Sequence, residues 1–516
     1  MSLVSFEYIG LLIGCMVLYY LVPKKVRWCV LLGISYYFYI LASGSRVLYL
    51  ILSTVIIFVT ALLLEKQNEQ LKAVKKLEKE QRKLYKKHIQ RRKKQIVVIG
   101  IASNVLILLV MKYWNFFGGN INALFQLLSL DIQIPFKKFL LPLGISYYTL
   151  MAVSYIVDVY RGKYHATTCF AKVALYLSFF PQMVEGPIAR FDQTADSLYR
   201  GNALSFENIR IGSYLILWGV FKKMVIADRA AVYVNAVFAQ QTQGWVTILA
   251  VALYTLQIYA EFSAAMDIVR GSAWLFGVYL PQNFRRPFFS KSIAEFWRRW
   301  HITLGTWLKD YIFYSISLSS MNMKLNRSVK KHCKGSFGKF ILTAFPLFFV
   351  WFFNGFWHGA TWKYIFYGLY YYMIMMLALL AEPLYASLRN KIKDNKIFML
   401  FQILRTTILV MIGMLIFRAD TLSQAWSMLQ SALTFTVGDI SVYGLGNIDF
   451  MVLGLGALSM FLLSLFRECK GSVHRLMEGR TLIIRYSILL VLIGVIVVYG
   501  MYGEGYHAAD FIYGGF

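Results

Sequence analysis

Apolar runs long enough to cross a lipid bilayer recur along this chain, and they constrain its fold more than any other feature. Crossing the hydrocarbon core as a helix takes about 20 predominantly apolar residues. Residues 3–22, 47–64, 96–114, 340–357 and 482–500 each approach or meet that requirement, and the hydropathy of the whole sequence gives roughly ten to twelve candidate spans. Backbone in lipid must satisfy its own hydrogen bonds, so the expected fold is an all-α integral membrane protein. Only 15% of the 516 residues are charged while 58% are hydrophobic. A soluble domain carries roughly 25% charged residues, so a water-soluble enzyme of this size is excluded.

The formal net charge of +29 would point to nucleic acid in a soluble protein. Here the Lys and Arg residues fall mainly between the apolar runs, which is the positive-inside pattern of loops facing the cytoplasm and its anionic lipid. No nucleic-acid partner is expected. Lys24, Lys25 and Arg27 follow the first run, and residues 66–95 hold thirteen Lys or Arg. Both places are read as cytoplasmic, with the N-terminus outside, in a multi-pass membrane protein. The first run has no leading basic region and no small-residue cleavage site, so it is expected to be a retained span and not a signal peptide. Within 66–95, Leu71, Val74, Leu77, Leu84 and His88 recur near helical spacing without Gly or Pro. This predicts one charged helix about 45 Å long, on the membrane or projecting from it. The basic stretches 324–339, 389–396 and 467–485 mark further cytoplasmic faces.

Several chemistries have no motif behind them. Cys15, Cys29, Cys169, Cys333 and Cys469 form no C-x-x-C pair and are odd in number, which suggests neither a disulfide framework nor a zinc site. No metal or covalently bound cofactor is expected. There is no Walker sequence for an ATP-driven pump, no G-x-S-x-G elbow and no H-E-x-x-H helix. No internal repeat of the transporter kind is evident.

Two stretches break the simple alternation of span and loop. Residues 283–311 mix Trp297, Trp300 and Trp307 with Arg285, Arg286, Arg298, Arg299, Glu295, His301, Lys309 and Asp310. Such a segment is too charged to face lipid and too aromatic for a solvated loop, so it is expected to be re-entrant or interfacial and buried in protein. Residues 351–362 read W-F-F-N-G-F-W-H-G-A-T-W, with Asn354 and His358 four apart and therefore on one helix face. A strongly polar group at membrane depth is costly and marks a functional site by default. The competing reading is a hydrogen-bonded packing histidine. His301 and His358, each in a Trp-rich frame, tilt the balance toward function. His88, His332 and His474 lie in basic loops and His165 follows a polar turn, so these are read as solvated; His507 stays open.

A neutral imidazole suits proton acceptance from an alcohol that attacks an acyl carbonyl. A Trp or Asn N–H nearby could supply part of an oxyanion site. Direct transfer from a thioester to a hydroxyl requires neither a serine elbow nor a zinc helix.

The motifs resemble those of the membrane-bound O-acyltransferase family, in its bacterial alginate O-acetylation branch. The resemblance is carried by P-L-G-I-S-Y-Y-T-L with V-D-V-Y-R-G (142–162), F-F-P-Q-M-V-E-G-P-I-A-R (179–190), and F-S-A-A-M-D-I with L-P-Q-N-F-R-R-P (262–287). E-F-W-R-R-W-H-I-T-L-G-T-W-L-K-D-Y (295–311), G-F-W-H-G-A-T-W (355–362) and the closing F-I-Y-G-G-F complete it. Glu185 and the pair Ala264–Ala265 depart from the pattern.

That resemblance implies a bundle of about eleven transmembrane helices plus re-entrant helices around a central tunnel. It divides the chain into N-terminal transmembrane helices (1–65), a basic cytoplasmic helical segment (66–95) and a core (96–516) whose catalytic region is 283–362. His358 matches the family's intramembrane catalytic histidine and His301 its second histidine, while Asn354, Trp297, Arg298 and Asp310 are weaker site-lining candidates. The implied donor is acetyl-CoA or another acyl-CoA or carrier thioester on the cytoplasmic side. The implied acceptor is an extracytoplasmic polysaccharide or cell-wall polymer, reached with an esterase-like partner protein outside. D-alanyl transfer to teichoic acid is a variant of the same chemistry. A transporter or flippase, or a structural subunit of a polysaccharide export complex, are the readings from other classes.

Overall fold

The computed structural model describes residues 2–73, 78–240, 244–333, 335–385, 395–471 and 481–503, and among them the regular elements are all helices. His474, His507, the closing F-I-Y-G-G-F and much of the 389–396 and 467–485 loops lie outside the described residues. Among the described residues, eight stretches are long and apolar enough to cross a membrane: Lys24–Ala73, Lys79–Leu127, Trp245–Leu275, Phe337–His358, Trp362–Leu380, Lys396–Arg418, Asn447–Cys469 and Leu482–Tyr499. The first contains two helices, Arg27–Ser43 and Val47–Ala73, with Gly44 at φ 57 beginning the turn between them. A shorter apolar helix, Phe6–Leu21, precedes them. The chain is a multi-pass, all-α membrane protein.

Two compact units divide it, one formed by Met1–Gly212 with Val269–Pro281 and the other by Ser213–Ile268 with Gln282–Gly515. In the first, Val47–Ala73 packs against Lys79–Leu127 and Ile145–Arg161. Small and polar residues permit the close approach. A Cβ on Gly100 would overlap the Thr60 side chain, and the Ser53 hydroxyl donates to Asn104 Oδ1 at 2.5 Å. Between helices in lipid, where no hydrophobic force pulls apolar faces together, small-residue contact and such a buried hydrogen bond hold the pair.

The single charged helix expected over 66–95 is divided. Residues 66–73 complete Val47–Ala73, and Glu78 is an extended N-cap (φ −59, ψ 155) from which the 49-residue helix Lys79–Leu127 begins. Val74 and Leu77 lie outside the described residues. A run of charged side chains gains little by forming an isolated helix. Here each basic half is the polar extension of an apolar helix, and the two helices pack side by side.

In the second unit, Ser336–His358 and Trp362–Leu380 form a tight helical hairpin. Glycine sets its closeness: a Cβ on Gly355 would strike the Tyr364 carbonyl oxygen, and one on Gly368 would strike that of Trp351. Trp362–Leu380 also packs on Lys396–Arg418, and the short helix Ile293–Arg299 lies against both. This hairpin carries His358, and the short helix leads to His301.

Candidate active site

The site is built on a chain that repeatedly stops being helical. Ser292 caps Ile293–Arg299 by accepting the Glu295 N–H at 3.2 Å. Trp300 then leaves the helix in an extended conformation, and His301 adopts the left-handed region at φ 45, ψ 50 before Ile302–Leu308 starts. Few non-glycine residues occupy that region, and those that do are found disproportionately where function demands it. The reversal buries His301 to 1% exposure beside Trp300 at 2%.

Asn283 holds this turn. Its backbone carbonyl accepts the Ile302 N–H at 3.0 Å. Its Oδ1 accepts the Thr303 N–H at 3.0 Å and the Thr303 hydroxyl at 2.9 Å, and lies 3.2 Å from His301 Nδ1. Two of the unmade N–H bonds at the start of Ile302–Leu308 are thus met by one residue from elsewhere in the chain. Phe262, from the helix Trp245–Leu275, meets the His301 ring edge-on at 4.9 Å. Burial pushes the His301 imidazole well below its ordinary range, so the ring is neutral.

His358 is held differently. It is the last residue of Ser336–His358 and 3% exposed. Trp357 at 5.0 Å, Phe417 at 5.3 Å and Tyr367 at 5.9 Å all stand nearly perpendicular to its ring. Edge-to-face rings fix orientation by geometry. Trp357 also lies 5.7 Å from His301, so one indole adjoins both imidazoles. The structure therefore brings the two histidines to one place.

Trp297 and Asn354 border the same aromatic frame. Trp297 meets Trp351 at 5.0 Å and Tyr371 at 4.9 Å, and Asn354 lies one helical turn before His358. Trp297 Nε1 and Asn354 Nδ2 are buried donors that find no protein acceptor among the described residues. Buried donors are nearly always satisfied, so these two N–H groups, one on the short helix that leads to His301 and one on the helix that ends at His358, are candidate donors to a carbonyl oxygen. Arg298 is exposed on its helix, and Asp310 lies half-buried on the π-helical turn Lys309–Phe313. His88, His165 and His332 are exposed.

An apolar cavity of about 280 Å³ opens in the same unit, with Tyr259, Arg286, Phe288, Phe289, Met411 and Phe461 among its lining. Neither histidine lines it. Tyr259 is the link, lying 5.9 Å from Trp300.

A buried ionic cluster went unremarked in the sequence. Lys223 is fully buried and pairs with Asp228 at 2.7 Å and Glu261 at 2.9 Å. Lys222 pairs with Asp267 at 2.8 Å and donates to Ser263 Oγ at 2.8 Å. Both lysines sit on the π-helical turn Lys222–Ala227, and short π segments often mark functional places in helices. Glu261 immediately precedes the Phe262 that abuts His301. The available signal is two lysines and three carboxylates inside otherwise apolar stretches.

A polytopic helical membrane protein with two neutral-capable imidazoles sharing a buried aromatic frame is the class this fold and site define. The model of the MBOAT, membrane-bound O-acyltransferase, family matches residues 165–418, which include both histidines. The chain is 31% identical over 376 residues to a Pseudomonas aeruginosa protein described as a probable alginate O-acetylase, covering 72% of this chain and 66% of that one. It is 30% identical over 304 residues to a peptidoglycan O-acetyltransferase of Helicobacter pylori, covering 53% of each. With a teichoic acid D-alanyltransferase of Bacillus subtilis it shares 28% identity over 248 residues, 45% of this chain and 58% of that one. The chain belongs to the membrane-bound O-acyltransferase family. The matched stretch spans slightly under two thirds of the length of the alginate O-acetylase relative.

Proposed function

We propose that this protein is a membrane O-acyltransferase that takes an acetyl group from a cytoplasmic thioester and delivers it for O-acylation of an extracytoplasmic polysaccharide or cell-wall polymer. The observation that carries the reading is the pair His301 and His358, both buried against Trp357 within the family-matched residues.

In the reaction an acceptor hydroxyl gives its proton to an imidazole nitrogen while its oxygen attacks the thioester carbonyl carbon. The carbonyl becomes an oxyanion that Trp297 Nε1–H and Asn354 Nδ2–H can stabilise. On collapse the C–S bond breaks, the ester forms, and the proton passes to the leaving thiolate. General-base help of this kind contributes about 10²- to 10⁴-fold.

Acetyl is favoured over D-alanyl because the acetylase relatives match a longer stretch at higher identity, 31% over 376 residues against 28% over 248. Acetyl-CoA is the proposed donor, and basic loops at a cytoplasmic mouth would draw its phosphates. An esterase-like protein outside the membrane is the proposed partner for the final acceptor. The N-terminus is placed outside a bacterial cell membrane by the basic residues after the first span.

Labelled acetyl-CoA supplied to the protein in liposomes with a polysaccharide acceptor tests the reading. Label should reach ester linkage with the wild type and not with His358→Ala, while that variant remains folded in the membrane. Wild-type ester formation by His358→Ala overturns it. Mass analysis of envelope esters in a deletion strain separates lost acetyl from lost D-alanyl groups.

A further inference from the structure

Which nitrogen of His301 accepts the proton is decided by an atom on a different segment of the chain. A backbone N–H can only donate, and the Thr303 N–H meets the Asn283 carboxamide at 3.0 Å. The atom it meets is therefore the carboxamide oxygen, which fixes the amide's orientation. The amide nitrogen is left facing Met266, whose sulfur lies 3.2 Å from Nδ2 and accepts from it.

With its orientation fixed, Oδ1 has only lone pairs to offer. His301 Nδ1 lies 3.2 Å from it, so Nδ1 must carry the hydrogen. A neutral imidazole has one N–H, and the lone pair then belongs to Nε2. The Phe262 ring edge-on at 4.9 Å and Trp357 at 5.7 Å hold the plane of the ring, and the Asn283 contact selects which nitrogen faces Oδ1.

We propose that Asn283 is a positioning residue that locks His301 in the Nδ1–H tautomer and leaves Nε2 as that ring's proton-accepting atom. The use made of Nε2 rests on the acyl-transfer reading above; the tautomer itself does not. Asn283 also caps Ile302–Leu308 through its backbone carbonyl, a role any residue can fill, so its side chain is specifically required for the imidazole and for Thr303.

The test uses the full chain, ¹⁵N-labelled at histidine, in lipid bilayers. Solid-state NMR separates protonated ring nitrogens from those with a lone pair, and the His301 signals are identified by their loss in His301→Gln. The wild type should show Nδ1 protonated and Nε2 bare. In Asn283→Leu the tautomer should become mixed, and kcat for acetyl transfer should fall about 10²-fold or more with the donor KM little changed. Asn283→Asp restores the acceptor oxygen, so it should recover the Nδ1–H tautomer and at least a tenth of the activity.

A wild-type spectrum with Nε2 protonated overturns the proposal, and so does an Asn283→Leu variant that keeps both tautomer and kcat. If Asn283→Leu does not fold, the wild-type and Asn283→Asp spectra still decide. Absence of acetyl transfer in the wild type would sink the acyl-transfer reading while leaving the spectral result standing.

Discussion

The two histidines adjoin one indole, yet the chain secures them by opposite means. His301 sits on a break between two short helices and is fixed by hydrogen bonds to Asn283 in a left-handed backbone conformation. His358 ends a long helix and is fixed by aromatic edges from Trp357, Tyr367 and Phe417. Hydrogen bonds specify which atom of a ring faces where, whereas aromatic packing specifies its plane. One imidazole is set in protonation, the other in pose.

That contrast can be broken by substitution. The largest effect is expected at His358, where replacement by Ala should lower acetyl transfer by at least about 10²-fold with no loss of membrane-folded protein, as measured by labelled ester formed. Next is the support behind His301. Lys223→Met leaves Asp228 and Glu261 buried without their cation, a loss of roughly 3–5 kcal/mol that should appear as a lower thermal midpoint in detergent. If the variant unfolds at the wild-type temperature, the cluster does not brace the helix that carries Phe262.

A smaller effect is expected on the His358 side from Gly368→Leu, which forces the helical hairpin apart. Overpacking of this kind costs about 1–3 kcal/mol, and the same thermal measurement checks it; transfer should fall as well, since Tyr367 is displaced from the imidazole. Smallest is Arg298→Ala. That side chain is exposed on its helix, so initial rates should stay within about twofold, and a larger fall would place a substrate contact there.

Much of this was legible in the sequence. Apolar length gave the membrane, and the Trp-rich frames around His301 and His358 marked the residues that the structure brings together. Asn283 was not recognised, although it stands in L-P-Q-N-F-R-R-P, because its value lies in closing a turn eighteen residues later. The Lys222–Asp267 and Lys223–Glu261 pairings are hidden for the same reason, their members lying 45 and 38 residues apart. Local periodicity also ran the 66–95 segment as one helix. It registers amphipathic spacing but not the tertiary gain from pairing Val47–Ala73 with Lys79–Leu127, which start as separate helices on either side of the non-helical Glu78.

The left-handed posture of His301 complicates any alanine scan of this region. An L-residue pays about 1–2 kcal/mol in that conformation, and alanine has no side-chain polar group with which to offset it. An alanine variant at 301 would therefore merge two losses, the missing imidazole and a relaxed hook in the chain. Asparagine tolerates that conformation better than most residues, so His301→Asn keeps the bend and removes only the ring. The ratio of the two variants' rates measures how much of the site is chemistry and how much is posture.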